Sequence, residues 1–225
     1  GEFRFNPGPY VQTPFTNSFI NLPNGLISGL SSVTIEGWFT WFGGANNTRI
    51  FDFGMSSGAP DGSGGTASTN FLEDYVLNPG RNYFFLSPQT GNPRFALDPD
   101  IGGAGTGETP SITSSIAITV SNKSHFAVVY DFPRGVARLY INGQRAGTGV
   151  ATFPLSIVDD RNAWLGRSQW QDPFPNTSLD EFRIYNGPFL DQDIAAHFSG
   201  GPNVLVSYAP TLNVVSLLGN QLTVS

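Results

Sequence analysis

Residues 166–176, GRSQWQDPFPN, gather side chains of the kind that hold a sugar. Trp170 offers a flat aromatic face for the apolar side of a pyranose. Gln169, Gln171, Asp172 and Arg167 flank it with hydrogen-bonding groups suited to hydroxyls, and Phe174 is close by. An exposed tryptophan is amphipathic and costs little conformational entropy to fix. The competing role for Trp170 is structural, as a plug folded back over the edge of a core. A second stretch, DPDIGGAGTGE, is acidic and glycine-rich, with Asp98, Asp100 and Glu108 as candidate oxygen ligands for calcium. Calcium takes about six to eight oxygens, largely carboxylates and carbonyls from loops. A solvated acidic loop is the alternative.

Hydrolytic chemistry is harder to assemble. Retaining glycoside hydrolysis needs two carboxylates about 5 Å apart, which on a strand means acids two or four positions apart on one face. Asp180 and Glu181 are adjacent and alternate to opposite faces. Pro99 separates Asp98 from Asp100, Asp191 and Asp193 suit the start of a helix, and Glu36 is the lone acid of its strand face. The histidines are His125 and His197, too few for a multi-histidine cage, and no neighbouring serine or acid marks His125 as part of a triad. A structural role is expected for it. FDFG at 51–54 has no glycine-rich nucleotide loop or catalytic loop beside it, and DGSGGT lacks the lysine of a phosphate loop. Catalytic residues are therefore not expected.

The composition narrows the classes further. A chain of 225 residues with 19 phenylalanines can build a sizeable core, and 27 glycines and 17 prolines spread along it imply many turns. The net charge is −6, and Lys123 is the single lysine. Such a surface repels phosphate backbones and anionic lipid, so nucleic acid and membrane surfaces are not expected partners. No apolar run approaches the ~20 residues of a membrane span. The absence of cysteine removes disulfides, zinc-thiolate sites and thiol nucleophiles. The chain does not begin with methionine, which suits a module cut from a longer protein, and the initial GEF is compatible with an expression scar and is not used to predict the fold.

The elements that would carry these residues are strands. SVTIEGWFTW (32–41) alternates, with Val33, Ile35, Gly37, Phe39 and Trp41 on one face and Thr34, Glu36, Trp38 and Thr40 on the other. Trp38 is expected in the core. Further strands are expected at 49–54, 82–87, 93–98, 115–121, 124–131, 162–168 and 178–186. Asn142-Gly143, between GVARLYI and QRAGTGV, marks a two-residue hairpin, because that pair most readily supplies positive φ at both central positions. Long loops are expected at 55–70 and 98–110, and a short helix at 191–198 with Asp191 as N-cap and Gly200-Gly201 as its stop. Roughly ten strands with short connections predict an all-β, two-sheet antiparallel jelly-roll sandwich with one helix near its C-terminal end. Residues 1–202 are expected to form this domain. Residues 203–225, apolar and uncharged, are expected to be a last strand plus linker or the start of a following β module.

TIEGW at 34–38, HFAVVYD at 125–131 leading into RLYING at 138–143, LGRS at 165–168 and LDEFRIYN at 179–186 occur in an order that resembles the laminin-G-like and pentraxin-like domains of the concanavalin A-like lectin/glucanase superfamily. The resemblance spans roughly 18–200 and implies the same sandwich, in which the Asn-Gly hairpin is a structural turn. It also implies an acid near the last strand, Asp180, as ligand to a structural calcium, the alternative being that Asp180 only bonds a turn or pairs with a basic side chain. The chain departs from the pattern in three places: the late disulfide is absent, Asn176-Thr177-Ser178 replaces a glycine before the last strand, and the two loops are long. The function implied is a non-catalytic recognition or adhesion module of a larger secreted or cell-surface protein, with a glycan or extracellular protein as partner beside other domains of the same chain. A polysaccharide-active enzyme and a structural spacer are the alternatives.

Overall fold

The computed structural model describes residues 2–8, 18–56, 80–99, 107–170, 172–205, 214–218 and 221–224. Two six-stranded antiparallel sheets make the sandwich, with strands numbered in chain order. The first sheet runs β1 (Phe3–Arg4), β12 (Thr177–Asn186), β3 (Ser32–Trp41), β8 (Lys123–Asp131), β9 (Val136–Ile141) and β10 (Gln144–Val150). The second runs β2 (Ile20–Leu22), β11 (Asn162–Leu165), β4 (Phe51–Ser56), β5 (Gly80–Ser87), β6 (Arg94–Asp98) and β7 (Ser111–Thr113). Strands β13 (Val214–Leu218) and β14 (Gln221–Val224) pair with each other. This is the predicted jelly-roll architecture.

Alternation decides what is inside. Val33, Ile35 and Phe39 of β3, Phe126, Val128 and Tyr130 of β8, Phe51 and Phe53 of β4, Phe84 and Leu86 of β5, and Phe95 and Leu97 of β6 meet in one core. Their strand neighbours point outward. On the first sheet that outer face is also covered, so every residue of β3 is buried. The cover is helix α1 (Asp191–Gly200), whose Ile194 packs on Ala127, Val129 and Tyr140 with Phe189 alongside. Trp38 is buried as expected, on this covered face.

Two local expectations are corrected. Residues 115–121 form no strand; the strand is the shorter β7 just before them. Serine chemistry accounts for this. The Ser114 hydroxyl donates to the Ile116 carbonyl and accepts from the Ile116 N–H, and Ser115 donates through both its N–H and its hydroxyl to the Ala146 carbonyl. These side-chain bonds compete with a ladder and turn the chain. The N-cap of α1 is Leu190 rather than Asp191: Asp193, three residues on, accepts from the Leu190 N–H at 2.8 Å. That leaves Asp191 to accept from Tyr140 at 2.7 Å and to pair with Arg145 at 2.5 Å, tying the helix start to the first sheet.

The Asn142-Gly143 turn forms with φ of 50° and 75°. Asn142 also clamps β8, accepting from the His125 N–H through its side chain and donating its own N–H to the His125 carbonyl. A Cβ on Gly143 would lie 2.9 Å from the Phe198 ring, so the turn needs glycine for the approach of α1 as well as for φ. Of the two long loops, residues 57–79 and 100–106 lie outside the described residues, whereas Met55 and Ser56 extend β4 and Asp98 ends β6. The segment 201–205 returns to the first sheet, where Arg183 donates to the carbonyls of Pro202 and Val204. No helix among the described residues is long and apolar enough to cross a membrane.

Candidate functional site

Among the described residues no helix covers the outer face of the second sheet, and its outward alternates meet the loop that carries Trp170 and Asp172. Tyr83 and Phe85 of β5 share the face with Ala96 of β6. Arg49, just before β4, lays its guanidinium 4.0 Å over the Phe85 ring, and Arg94 of β6 lies over the same ring at 5.2 Å. Burying two cations against one ring requires counter-charges. Arg49 pairs with Asp52 at 3.1 Å and Asp172 at 3.2 Å and donates to the Asn47 carbonyl. Arg94 pairs with Glu108 and donates to the Ser111 hydroxyl at 3.3 Å. The Tyr83 hydroxyl lies 3.3 Å from Asp98 and 3.4 Å from Glu108.

Trp170 forms the wall. Its ring meets Tyr83 edge-on, with centroids 6.5 Å apart, and it stays 38% exposed. The Ser168 hydroxyl accepts from the Trp170 N–H and donates to Asp172, which fixes the loop. Together these groups enclose an open depression of about 260 Å³ lined by Asn47, Arg49, Tyr83, Phe85, Arg94, Glu108, Trp170 and Asp172.

Electrostatics on this face follow from burial. Asp52 is fully buried, and desolvation pushes its carboxyl up to about 7 against the opposing pull of Arg49 and the Gln169 N–H. Burial, with Asp98 beside it, also raises the Tyr83 phenol well above its ordinary range, so the hydroxyl stays protonated and able to donate.

The residues singled out in the sequence divide here. Trp170 and Asp172 line the depression. Gln169 is buried behind them, donating its backbone N–H to Asp52 at 3.0 Å and accepting from Asn162 at 3.1 Å. Arg167 is also buried, its guanidinium 3.8 Å from the Trp164 ring centre and 4.9 Å from that of Phe19. Gln171 and Asp100 lie outside the described residues. Sequence reasoning passed over Arg49, Tyr83, Phe85 and Arg94. Their signal was the outward alternation of an aromatic pair in NYFFLS beside an arginine in PRFALD.

The proposed calcium ligands have other partners. Asp180 pairs with Lys123 at 2.7 Å, and Lys123 reaches Glu2 at the same distance. Both carboxylates are thus already bonded to one ammonium. Asp98 accepts from Tyr83, and Glu108 pairs with Arg94. No cluster of three or more metal-ligating side chains occurs among the described residues.

A second polar cluster lies under α1. Glu36 is fully buried and faces Arg183 at 3.3 Å, the Tyr185 hydroxyl at 3.0 Å, His197 Nδ1 at 2.8 Å and His125 Nε2 at 3.4 Å. Register explains the set: Arg183 is directly opposite Glu36 on β12, while His125 and Tyr185 pair one step off, with Trp38 and Thr34. The sequence showed no acid beside His125; the sheet supplies one. Burial would raise the Glu36 carboxyl, but the hydrogen bonds and charges of the two histidines outweigh it and bring it down to about 2. An ionised carboxylate only accepts, so both ring nitrogens donate to it. Glu36, His125 and His197 are cut off from solvent, Arg183 and Tyr185 only partly so, and the cluster ties α1 to the first sheet.

Comparison with curated protein sequences gives no match. Domain 4 of AbnA, a GH43 extracellular arabinanase from Geobacillus stearothermophilus, solved in complex with arabinotriose, is 21% identical with a TM-score of 0.57 over 80% of this chain and 72% of that one. The CBM40 of the Ruminococcus gnavus IT-sialidase, bound to alpha2,3 sialyllactose, is 15% identical with a TM-score of 0.53 over 74% of this chain and 82% of that one. Domains LG4-5 of the mouse laminin alpha1 chain are 12% identical with a TM-score of 0.52 over 78% of this chain, which spans 41% of theirs. At these identities the likeness is one of fold. A laminin G family model matches residues 15–195, and the chain belongs to that family, within the concanavalin A-like lectin/glucanases superfamily.

Proposed function

We propose that this chain is a non-catalytic glycan-recognition module of a larger extracellular protein, and that it holds its ligand in the depression between Trp170 and Phe85. One observation carries the reading: a part-exposed tryptophan stands over an open depression whose rim alternates guanidinium, carboxylate and phenol. A sugar ring has an apolar face for the indole and hydroxyls that both donate and accept, and this rim meets both needs. The volume is below the roughly 300–1,000 Å³ of enclosed small-molecule pockets, which suits one or two units of a longer chain lying across an open surface. Relatives solved with arabinotriose and sialyllactose share the fold and support the ligand class. The extracellular assignment draws on the same neighbours, one of them a domain of an extracellular arabinanase.

The enzymatic alternative has one attraction, the near-neutral carboxyl of Asp52. Asp52 is fully buried beneath Arg49, however, and a general acid must reach the glycosidic oxygen. Calcium is not part of the reading: Asp180 and Glu2 already share the single ammonium of Lys123.

Calorimetry with a panel of soluble oligosaccharides tests the proposal. Trp170→Ala should cost about 2 kcal/mol of binding, on the order of thirtyfold in affinity, while the melting temperature stays within a degree or two of the parent because the ring is part-exposed. Equal affinity for the variant would overturn the reading.

A further inference from the structure

We propose that the depression selects uncharged saccharides and rejects those bearing carboxylate or sulfate groups, an inference that rests on the glycan reading above. The two guanidiniums look at first like an anion site. All three guanidinium nitrogens of Arg49 are engaged, and Arg94 is charge-matched by Glu108. Arg49 has Nε on Asp52, one terminal nitrogen on Asp172 and the other on the Asn47 carbonyl. Arg94 has one terminal nitrogen on Glu108 and Nε on Ser111. Each is also stacked on Phe85, which removes a face from approach.

The balance of charge runs the other way. Arg49 and Arg94 are matched against the carboxyl groups of Asp52, Asp98, Glu108 and Asp172, and the whole chain carries −6. An incoming carboxylate or sulfate would have to displace a carboxylate already seated on its arginine, and it cannot donate to that carboxylate. A hydroxyl can donate to Asp172 or Glu108 without breaking either ion pair. Like charges brought together in a partly dehydrated site repel far more than in bulk water. Discrimination therefore comes from acids that answer hydroxyl donors and repel anions, a specificity built by rejection as well as by contact.

The test is calorimetry on the full chain with matched pairs: galactotriose against trigalacturonate, and lactose against sialyllactose. The neutral member should bind more tightly by on the order of tenfold or more. Glu108→Gln, and separately Asp172→Asn, should narrow that ratio by improving binding of the anionic member, a change that mere loss of structure would not produce. Equal or tighter binding of the anionic members would overturn the inference and leave glycan recognition standing. Binding of neither kind would overturn the glycan reading, and this inference with it.

Discussion

Glu36→Ala is expected to destabilise the protein by about 3–5 kcal/mol, the cost of leaving buried charge without its partner. Arg183, His125, His197 and Tyr185 all direct donors at this one fully buried carboxylate. Arg183 and Tyr185 sit on β12, His125 on β8 and His197 in the last turn of α1, so the loss should fall on helix docking first. Urea unfolding followed by tryptophan fluorescence checks the magnitude, and hydrogen exchange in α1 checks the place. The pH dependence has a fixed sign. Glu36 lies below its unfolded value of 4.5, at about 2, so its contribution is complete above 4.5 and is lost as pH falls toward 2. His125 is lowered from 6.5 by burial, so acidification below 6.5 also favours the unfolded chain. The parent should therefore lose stability on acidification, and Glu36→Ala should flatten the part of that slope below 4.5. A variant within about 1 kcal/mol of the parent would mean that the cluster contributes little beyond packing.

Arg49→Ala should also destabilise the protein, and its cost should grow with pH. Arg49 is the counter-charge of buried Asp52 and also holds Asp172 at the rim. In the parent, Asp52 lies at about 7 against an unfolded value of 3.8, so its ionisation between those values opposes folding. Without Arg49 the carboxyl rises further, and the window in which deprotonation costs stability extends upward. At pH 5 Asp52 is protonated in both proteins and the deficit is small. By pH 8, one unit above the parent carboxyl at about 7, the deficit should have grown by up to about 1.4 kcal/mol. Paired urea titrations at pH 5 and 8 measure the difference. A deficit equal at both values would show that Asp52 is not the group being uncovered. Glycan binding should be lost at either pH, because Phe85 loses its stacked guanidinium and Asp172 its anchor.

Much of the sandwich was legible because a period of two needs only one strand to be seen. The alternation of SVTIEGWFTW gives β3 its bounds and both its faces. What lies across the sheet was not legible. Glu36 looked like a solitary acid because its partners arrive from β8, β12 and α1, and register between strands is absent from local pattern. The covered outer face was hidden for the same reason, since polar alternates usually mark solvent and here they mark the bed of a helix. One local signal was available and missed. In SLDEFRIYN the core residues Leu179, Phe182 and Ile184 change parity, and the structure places a bulge there, with Glu181 at φ 67° and Gly37 opposite leaving room for its carbonyl. In the candidate site, Trp170 and Asp172 were legible from loop composition. Arg167 and Gln169 carry the right chemistry but point into the structure, Arg167 onto Trp164 and Gln169 onto the Asp52 carbonyl and Asn162. Direction of that kind depends on the turn at Gly166, with φ 78°, where any Cβ would strike Phe5.

Glycan recognition at the Trp170 depression is tested most directly by nitrogen-15 NMR of the intact chain, titrated with whichever of arabinotriose, lactose and galactotriose binds. Of the 4 tryptophan indole signals, that of Trp170 should move most, with the Nε–H signals of Arg49 and Arg94 and the amides of β5 and β6 moving on the same saturation curve. Saturable shifts confined to the first sheet and α1, with Trp170 unmoved, would place any ligand elsewhere and contradict the proposal.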